Sequence, residues 1–259
     1  MFCLRHYFTN LTSTLALAFF CNIACAANFG VGPMQITLGQ DSKTGLIKVS
    51  NNDANSLQLQ VRLFTWALNA AGESVYEESE DLVFFPQLLN IQPKDNHLIR
   101  VGIKTPPAEK EKSYILFIEE IPSSLKKSSQ DTQPADKPSQ GVRIAVAVRF
   151  AIPVFVKPQK VQTKAEISEV SLRQGVLSLT VKNTGNTHLT IQQIKLSAQG
   201  KFAKDIPGKT LLAETERSYQ MTIPAEVCSS IDELSILVKT TTDKLEPASV
   251  FKIDKASCQ

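Results

Sequence analysis

Side chains able to do chemistry are few in this chain, and they do not converge. There are three histidines. His6 falls in the N-terminal stretch, while His97 and His188 each stand alone beside predicted strands. A metal needs several ligands at a fixed spacing. Neither histidine has such a partner, so both read as solvated or capping side chains. The acidic run from Glu77 to Asp81 is too local for a calcium loop with evenly spaced ligands, and reads as a solvated loop. There is no G-x-S-x-G, no phosphate-binding glycine loop and no H-E-x-x-H. No nucleophile has an identifiable base. The chain therefore reads as a non-enzyme that needs no metal, no cofactor and no small-molecule substrate.

Two cysteines do offer chemistry. The chain starts with charge at Arg5, runs apolar from Leu15 to Ile23 and reaches Ala24-Cys25-Ala26. That is the pattern of a secretory signal peptide over residues 1–26, with Ala27 opening the mature chain. Cys3, Cys21 and Cys25 leave with it, so only Cys228 and Cys258 remain. Two thiols in an exported protein usually pair. Closing that loop contributes roughly 4 kcal/mol in the chain-entropy model. No later stretch is apolar enough to span a bilayer, so an exported, soluble protein is expected. The net charge is only +3 with both signs interspersed, and no basic block suggests nucleic acid.

With chemistry absent, the most ordered feature is a row of aliphatics between Gly141 and Pro158. Val142, Ile144, Val146, Val148, Phe150 and Ile152 alternate with Arg143, Ala145, Ala147, Arg149 and Ala151. A period of two means a β-strand. Pro153 then interrupts it, which argues for a sheet edge or a bulge. An edge with large aliphatics on one face recruits other strands unless it is blunted. Either that face is buried in the protein's own core, or the edge is a working surface.

The elements around this strand are also β. GPMQITL, LIKVSN, LQLQVRLFTWAL, HLIRVGI and SYILFIEEI read as strands separated by turns, with Trp66 the sole tryptophan. No convincing amphipathic helix separates them, so an all-β sandwich is expected. Ser123 to Gln140 is polar and proline-containing, and reads as a mobile loop delivering the chain into the aliphatic row. Pro158 to Thr163 marks a boundary. Beyond it VLSLTVKN, HLTIQQIKL, SYQMTIP and ELSILVKT build a second all-β unit. The domains read as 27–158 and 159–259. VSN at Val49 to Asn51 and VKN at Val181 to Asn183 end strands at similar places in the two units, a weak sign of related modules.

The ordered set PMQITL, KVSNN, LFTWAL, NIQPKDNHLIRV, FIEEIP and RFAIPVFVKP resembles the PapD-like periplasmic pilus-assembly chaperones. VLSLTVKNTGNTHLTI and LLAETERSY extend the resemblance through the second unit. The I-P-V-F-V form looks closest to the non-classical branch serving spore-coat-U-like subunits. The resemblance implies two immunoglobulin-like sandwiches set in an L, a periplasmic location, a fimbrial subunit as client and an outer-membrane usher as further partner. It also implies donor-strand complementation, in which a chaperone strand completes an incomplete subunit sandwich. By position Ile144, Val146 and Val148, with Val142 at the end of the row, are the donor side chains. Ala145 and Ala147 are expected to pack inward. Without a client, the same fold would be an exported structural protein or adhesin.

Two further expectations follow from the resemblance. Family members anchor the client's terminal carboxylate with a first-strand arginine and a donor-strand lysine. Those positions are Gln35 and Pro153 here, neither of them a cation. Arg149 and Arg100 are the nearby substitutes. A charged network at the hinge is expected from Glu111, Lys157 and Asp232.

Overall fold

The computed structural model describes residues 28–121, 147–198, 200–241 and 245–258. The leader, the polar segment from Ser123 to Gln140, and Val142, Ile144, Ala145 and Val146 lie outside them.

Alternation in the first half produces two facing sheets. One has the order β1 (Phe29–Gly32), β3 (Thr44–Asn51), β8 (Asn96–Ile103), β6 (Leu82–Phe85). The other has the order β2 (Ile36–Leu38), β10 (Arg149–Val156), β9 (Lys112–Glu120), β4 (Leu57–Leu68), β5 (Ser74–Glu78), with β7 (Leu88–Ile91) also paired to β4. Every second side chain enters the space between them: Ile47 and Val49, Ile99 and Val101, Leu59 to Leu63, Leu116 and Ile118, Ile152 and Val154. Apolar burial of this kind is the main favourable contribution to folding.

The strand expected over Gly32 to Leu38 is split. Pro33 has no N–H to offer a ladder, and the chain changes sheets there. β1 pairs antiparallel with β3, whereas β2 pairs parallel with β10. The acidic run is not wholly loop either, because Glu77 and Glu78 end β5 with exposed side chains and Glu78 meets Arg62 at 3.2 Å.

The second half repeats the plan with its own core. β11 (Ala165–Arg173), β12 (Val176–Asn183) and β16 (Glu216–Thr222) form one sheet. β14 (Phe202–Pro207), β13 (Leu189–Ala198), β17 (Glu233–Thr240) and β18 (Ala248–Lys252) form the other, with β15 (Thr210–Leu211) on β13. The short helix α1 (Ala225–Ser230) carries Cys228, which is bonded to Cys258 with a Cα–Cα distance of 5.7 Å. Both cysteines are buried in this core.

The two halves share one polar device. Asn51 and Asn183 are almost wholly buried at the ends of β3 and β12. The Asn51 side-chain oxygen accepts the Asp53 N–H at 2.9 Å, and its amide donates to the carbonyls of Asn55 and Ile91. Asn183 does the same: its oxygen accepts the Gly185 N–H at 3.0 Å, and its amide donates to Thr187 and Leu212. Each thus fixes a turn two to four residues on and ties it to a distant segment. A buried polar group left unpaired costs about 1–3 kcal/mol. Replacing either asparagine with leucine should therefore cost roughly 3 kcal/mol or more, since several partners are stranded at once. Chemical denaturation of Asn51→Leu and Asn183→Leu measures this, and a loss below about 1 kcal/mol in both would contradict it.

Tyr114 places a phenol at the edge of the first core, where it donates to Asp81 Oδ2 at 2.8 Å. Burial raises its pKa above the ordinary 10.0, and the hydrogen bond to Asp81 and the Asp81 charge raise it further. A group held protonated by the fold contributes stability in full below its unfolded pKa and loses it as pH rises above that value. Stability should therefore fall beyond pH 10, and Tyr114→Phe should flatten that fall in melts run at rising pH. An unchanged slope would count against this role.

Candidate functional site

β10 is held on one side along its whole length. Arg149 to Val156 pair with Glu119 to Lys112 of β9. On its other flank β2 covers only Val154 to Val156, so among the described residues Arg149 to Pro153 form an edge. The Glu120 N–H donates to the Val148 carbonyl at 2.9 Å, which sets the phase of the ladder. Hydrogen-bonded and open pairs alternate in an antiparallel ladder. Pro153 therefore sits at an open pair, with its missing N–H facing away from β9. The proline interrupts the edge and leaves the ladder intact.

The even-numbered row faces the protein's own core. Ile152 and Val154 are fully buried, and Phe150 and Val148 are half-buried against the same cluster. Phe150 packs edge-on against Phe29 at 5.2 Å. The odd-numbered row faces outward. Ala147, Arg149 and Ala151 are exposed, which corrects the expectation that Ala147 packs inward. The side facing inward is settled by Ile152, Val154 and Val156, which fill the space between the sheets. Val142, Ile144 and Val146 share the parity of that buried row but lie outside the described residues.

The outer face of the β10 sheet carries an aromatic belt. Phe117 meets Phe64 at 5.3 Å and Tyr76 at 5.5 Å. Arg149 lies over Phe117 at 4.9 Å, and Arg62 lies over Phe64 at 4.9 Å. Arg149 is also bonded to Glu119 at 2.7 Å, so its charge is already matched. Gln35 is exposed one residue before the Ile36–Val154 pair, which puts it beside Pro153. Arg100 does not join this region. It projects from the outer face of the other sheet, between Leu46 of β3 and Phe85 of β6. The expectation that it stands in for an anchor near β10 is corrected, because Ile99 and Val101 take the inward positions of β8.

The two halves are joined through a different set of side chains from the expected network. Glu111 is fully buried and accepts the His188 N–H at 2.8 Å; its Oε1 also lies 2.6 Å from His188 Nδ1. The His188 ring stacks on Phe155 with centroids 3.5 Å apart and planes at 10°. Asn186 adds a second tie: its amide donates to the carbonyls of Glu109 and Lys160, and its oxygen accepts the Gln162 N–H. Gly185 permits this approach, since a Cβ there would stand 2.3 Å from the Gln162 carbonyl oxygen. Lys157 is exposed and makes no ion pair among the described residues. Asp232 pairs with Lys255 at 3.1 Å. Only Glu111 of the expected network takes part, and His188 is its partner instead of a solvated residue.

Removing Glu111 leaves the His188 N–H and its ring nitrogen without their partner, and each buried polar group left unpaired costs roughly 1–3 kcal/mol. Glu111→Ala should show a loss of that size in a urea melt read by Trp66, whose ring lies 6.0 Å from Phe155. A loss under about 1 kcal/mol would place the joint's strength elsewhere.

Comparison with known proteins agrees with this geometry. Residues 28–162 match the family described as pili and flagellar-assembly chaperone, PapD N-terminal domain. No curated sequence matches the chain. Among solved structures, the chaperone–tip adhesion subunit pre-assembly complex CsuC–CsuE from archaic chaperone-usher Csu pili of Acinetobacter baumannii is similar, with TM-score 0.60 and 18% identity. That match covers 86% of this chain and 98% of that one. The Salmonella enterica SafA pilin complex with the SafB chaperone gives TM-score 0.55 at 13% identity, covering 88% and 98%. The Pseudomonas aeruginosa CupB2 chaperone gives TM-score 0.53 at 11% identity, covering 87% and 100%. The fold is thus that of two immunoglobulin-like sandwiches, and since the family match spans more than half of its length, the chain belongs to the pili and flagellar-assembly chaperone family.

Proposed function

We propose that this chain is a periplasmic, non-enzymatic chaperone that holds fimbrial subunits by lending them a strand and passes them to an outer-membrane usher. In this reading residues 1–26 are the leader, 27–158 the strand-lending domain and 159–259 the second sandwich. The observation that carries it is the continuity of one row across a strand edge. Ile152, Val154 and Val156 fill this protein's core, Val148 and Phe150 lie at its margin, and Val142, Ile144 and Val146 continue the same parity. The edge from Arg149 to Pro153 has no partner on its outer side among the described residues, which leaves room for a client strand. Family membership and the likeness to chaperone–subunit complexes support the reading. Main-chain pairing would provide adhesion, and the alternating side chains would set register. Each aliphatic buried in a client groove is worth about 1.5–3 kcal/mol before ordering costs.

The test contrasts two positions in one row. Val146→Asp should change the free protein's stability by no more than about 0.5 kcal/mol, as exposed substitutions do. It should abolish protection of a co-expressed subunit from proteolysis. Ile152→Asp, by contrast, should unfold the chaperone, because it buries an unpaired charge. If Val146→Asp unfolds the protein as Ile152→Asp does, the row belongs to the core and the reading fails.

A further inference from the structure

The sheet that lies across the first core from β10 has an outer face of its own. Ile47 and Val49 of β3 and Ile99 and Val101 of β8 point into the core, so their neighbours along each strand point to solvent. Cross-strand pairing sets these neighbours in rows. Leu46 stands opposite Arg100, and Arg100 opposite Phe85 of β6. In the flanking rows Lys48 faces Leu98, and Gly102 faces Val83. Leu46, Leu98 and Val83 are each about half exposed, and Phe85 is 77% exposed. The rest of the face carries Thr44, Ser50, Asn96 and the glycines of β1, so the apolar tips project beyond their surroundings. Lys48 and Arg100 make no ion pair among the described residues. No Asp or Glu lies on β1, β3, β6 or β8. The carboxylates in the turns at the strand ends are engaged: Asp53 accepts the Ala54 N–H, Asp95 the Asn96 N–H and Asp81 the Tyr114 hydroxyl. The outer face beside β10 differs, since Arg62 there is matched by Glu78 and Arg149 by Glu119.

Contiguous exposed apolar side chains mark a surface that meets something. Here they are interleaved with two unmatched cations, so what meets them offers negative charge and an apolar layer together. An opposing protein would need a carboxylate at each matching position. An anionic bilayer presents headgroup charge at every lateral position, and its acyl boundary takes apolar tips from a flat face. We propose that this face docks on the surface of an anionic phospholipid bilayer. Lys48 and Arg100 meet the lipid phosphates, while Phe85, Leu98, Leu46 and Val83 enter the acyl boundary. The face belongs to the sheet opposite β10 and uses no lent strand, so it does not depend on the strand-lending reading.

Co-sedimentation of the full mature protein with vesicles tests it. One set is phosphatidylcholine alone, and the other an equal mixture of phosphatidylcholine and phosphatidylglycerol. The protein should pellet with the mixed vesicles and far less with phosphatidylcholine, and added salt should weaken the binding. Lys48→Gln with Arg100→Gln should weaken binding to the mixed vesicles about 30-fold, roughly fivefold for each cation at an anionic surface. Phe85→Ser with Leu98→Ser should weaken it about tenfold or more. Lys182→Gln with Lys252→Gln removes the same charge from exposed positions of the second half and should change binding less than about twofold. All six positions are exposed, so melting temperatures should match the parent's; the single substitutions Lys48→Gln and Phe85→Ser repeat the test if a double variant fails to fold. No pelleting with the mixed vesicles, equal pelleting with both compositions, or an equal loss in the Lys182 and Lys252 variant would overturn the proposal. The first of these would assign the face to a protein partner. Since no client takes part, such a failure leaves the chaperone reading untouched.

Discussion

Side chains on a strand alternate, and a row cannot change faces without a bulge. β10 runs under that constraint. Once Ile152, Val154 and Val156 are committed to the core, every even-numbered neighbour along an uninterrupted strand is committed to the same face. Val148 and Phe150 show the row reaching the margin of the sandwich, half-buried where the core ends. A strand serving its own core at one end can therefore present the same kind of side chain beyond it. Under the proposed function the two uses share one backbone and one register, which links stability in the protein to alignment in a client. Pro153 fits because it sits at an open pair of the β9 ladder, where its missing donor costs no bond.

The joint between the halves follows another constraint. A buried carboxylate costs free energy unless it is paired, and Glu111 is paired through one oxygen: its Oε1 takes both contacts to His188, while Oε2 is buried without a partner. The same histidine stacks on Phe155, an outward-facing side chain of β10. The strand that supplies the candidate donor row thus also supplies the platform on which the second half rests. Its inward face fixes the first core, and its outward face helps to position the second.

Much of this was legible in the residues, because a period of two survives any tertiary context. The strands, the twin asparagines and the aliphatic row all carry local signals. Face assignment was less legible. Alternation identifies two faces, but which of them is inside depends on partners distant in sequence; hence Ala147 proved exposed and Arg100 proved to lie on the far sheet. The joint left no local trace at all. Glu111 and His188 are 77 residues apart, and a lone histidine has no spacing to read. The G-N-T-H turn supplies the docking geometry, with Gly185 at a close approach and the Asn186 side chain bonded to Glu109, Lys160 and Gln162.

The most direct measurement of the central claim is amide hydrogen exchange along residues 142–156, with and without a bound subunit. In the free protein the amides of Ile152 and Val154 to Val156 should be strongly protected, and those of Val142 to Val148 should exchange fast. On client binding the second group should become protected while the first stays unchanged, since the client's strands would then flank it. Strong protection of Val142 to Val148 in the free protein, unaltered by a subunit, would contradict the account.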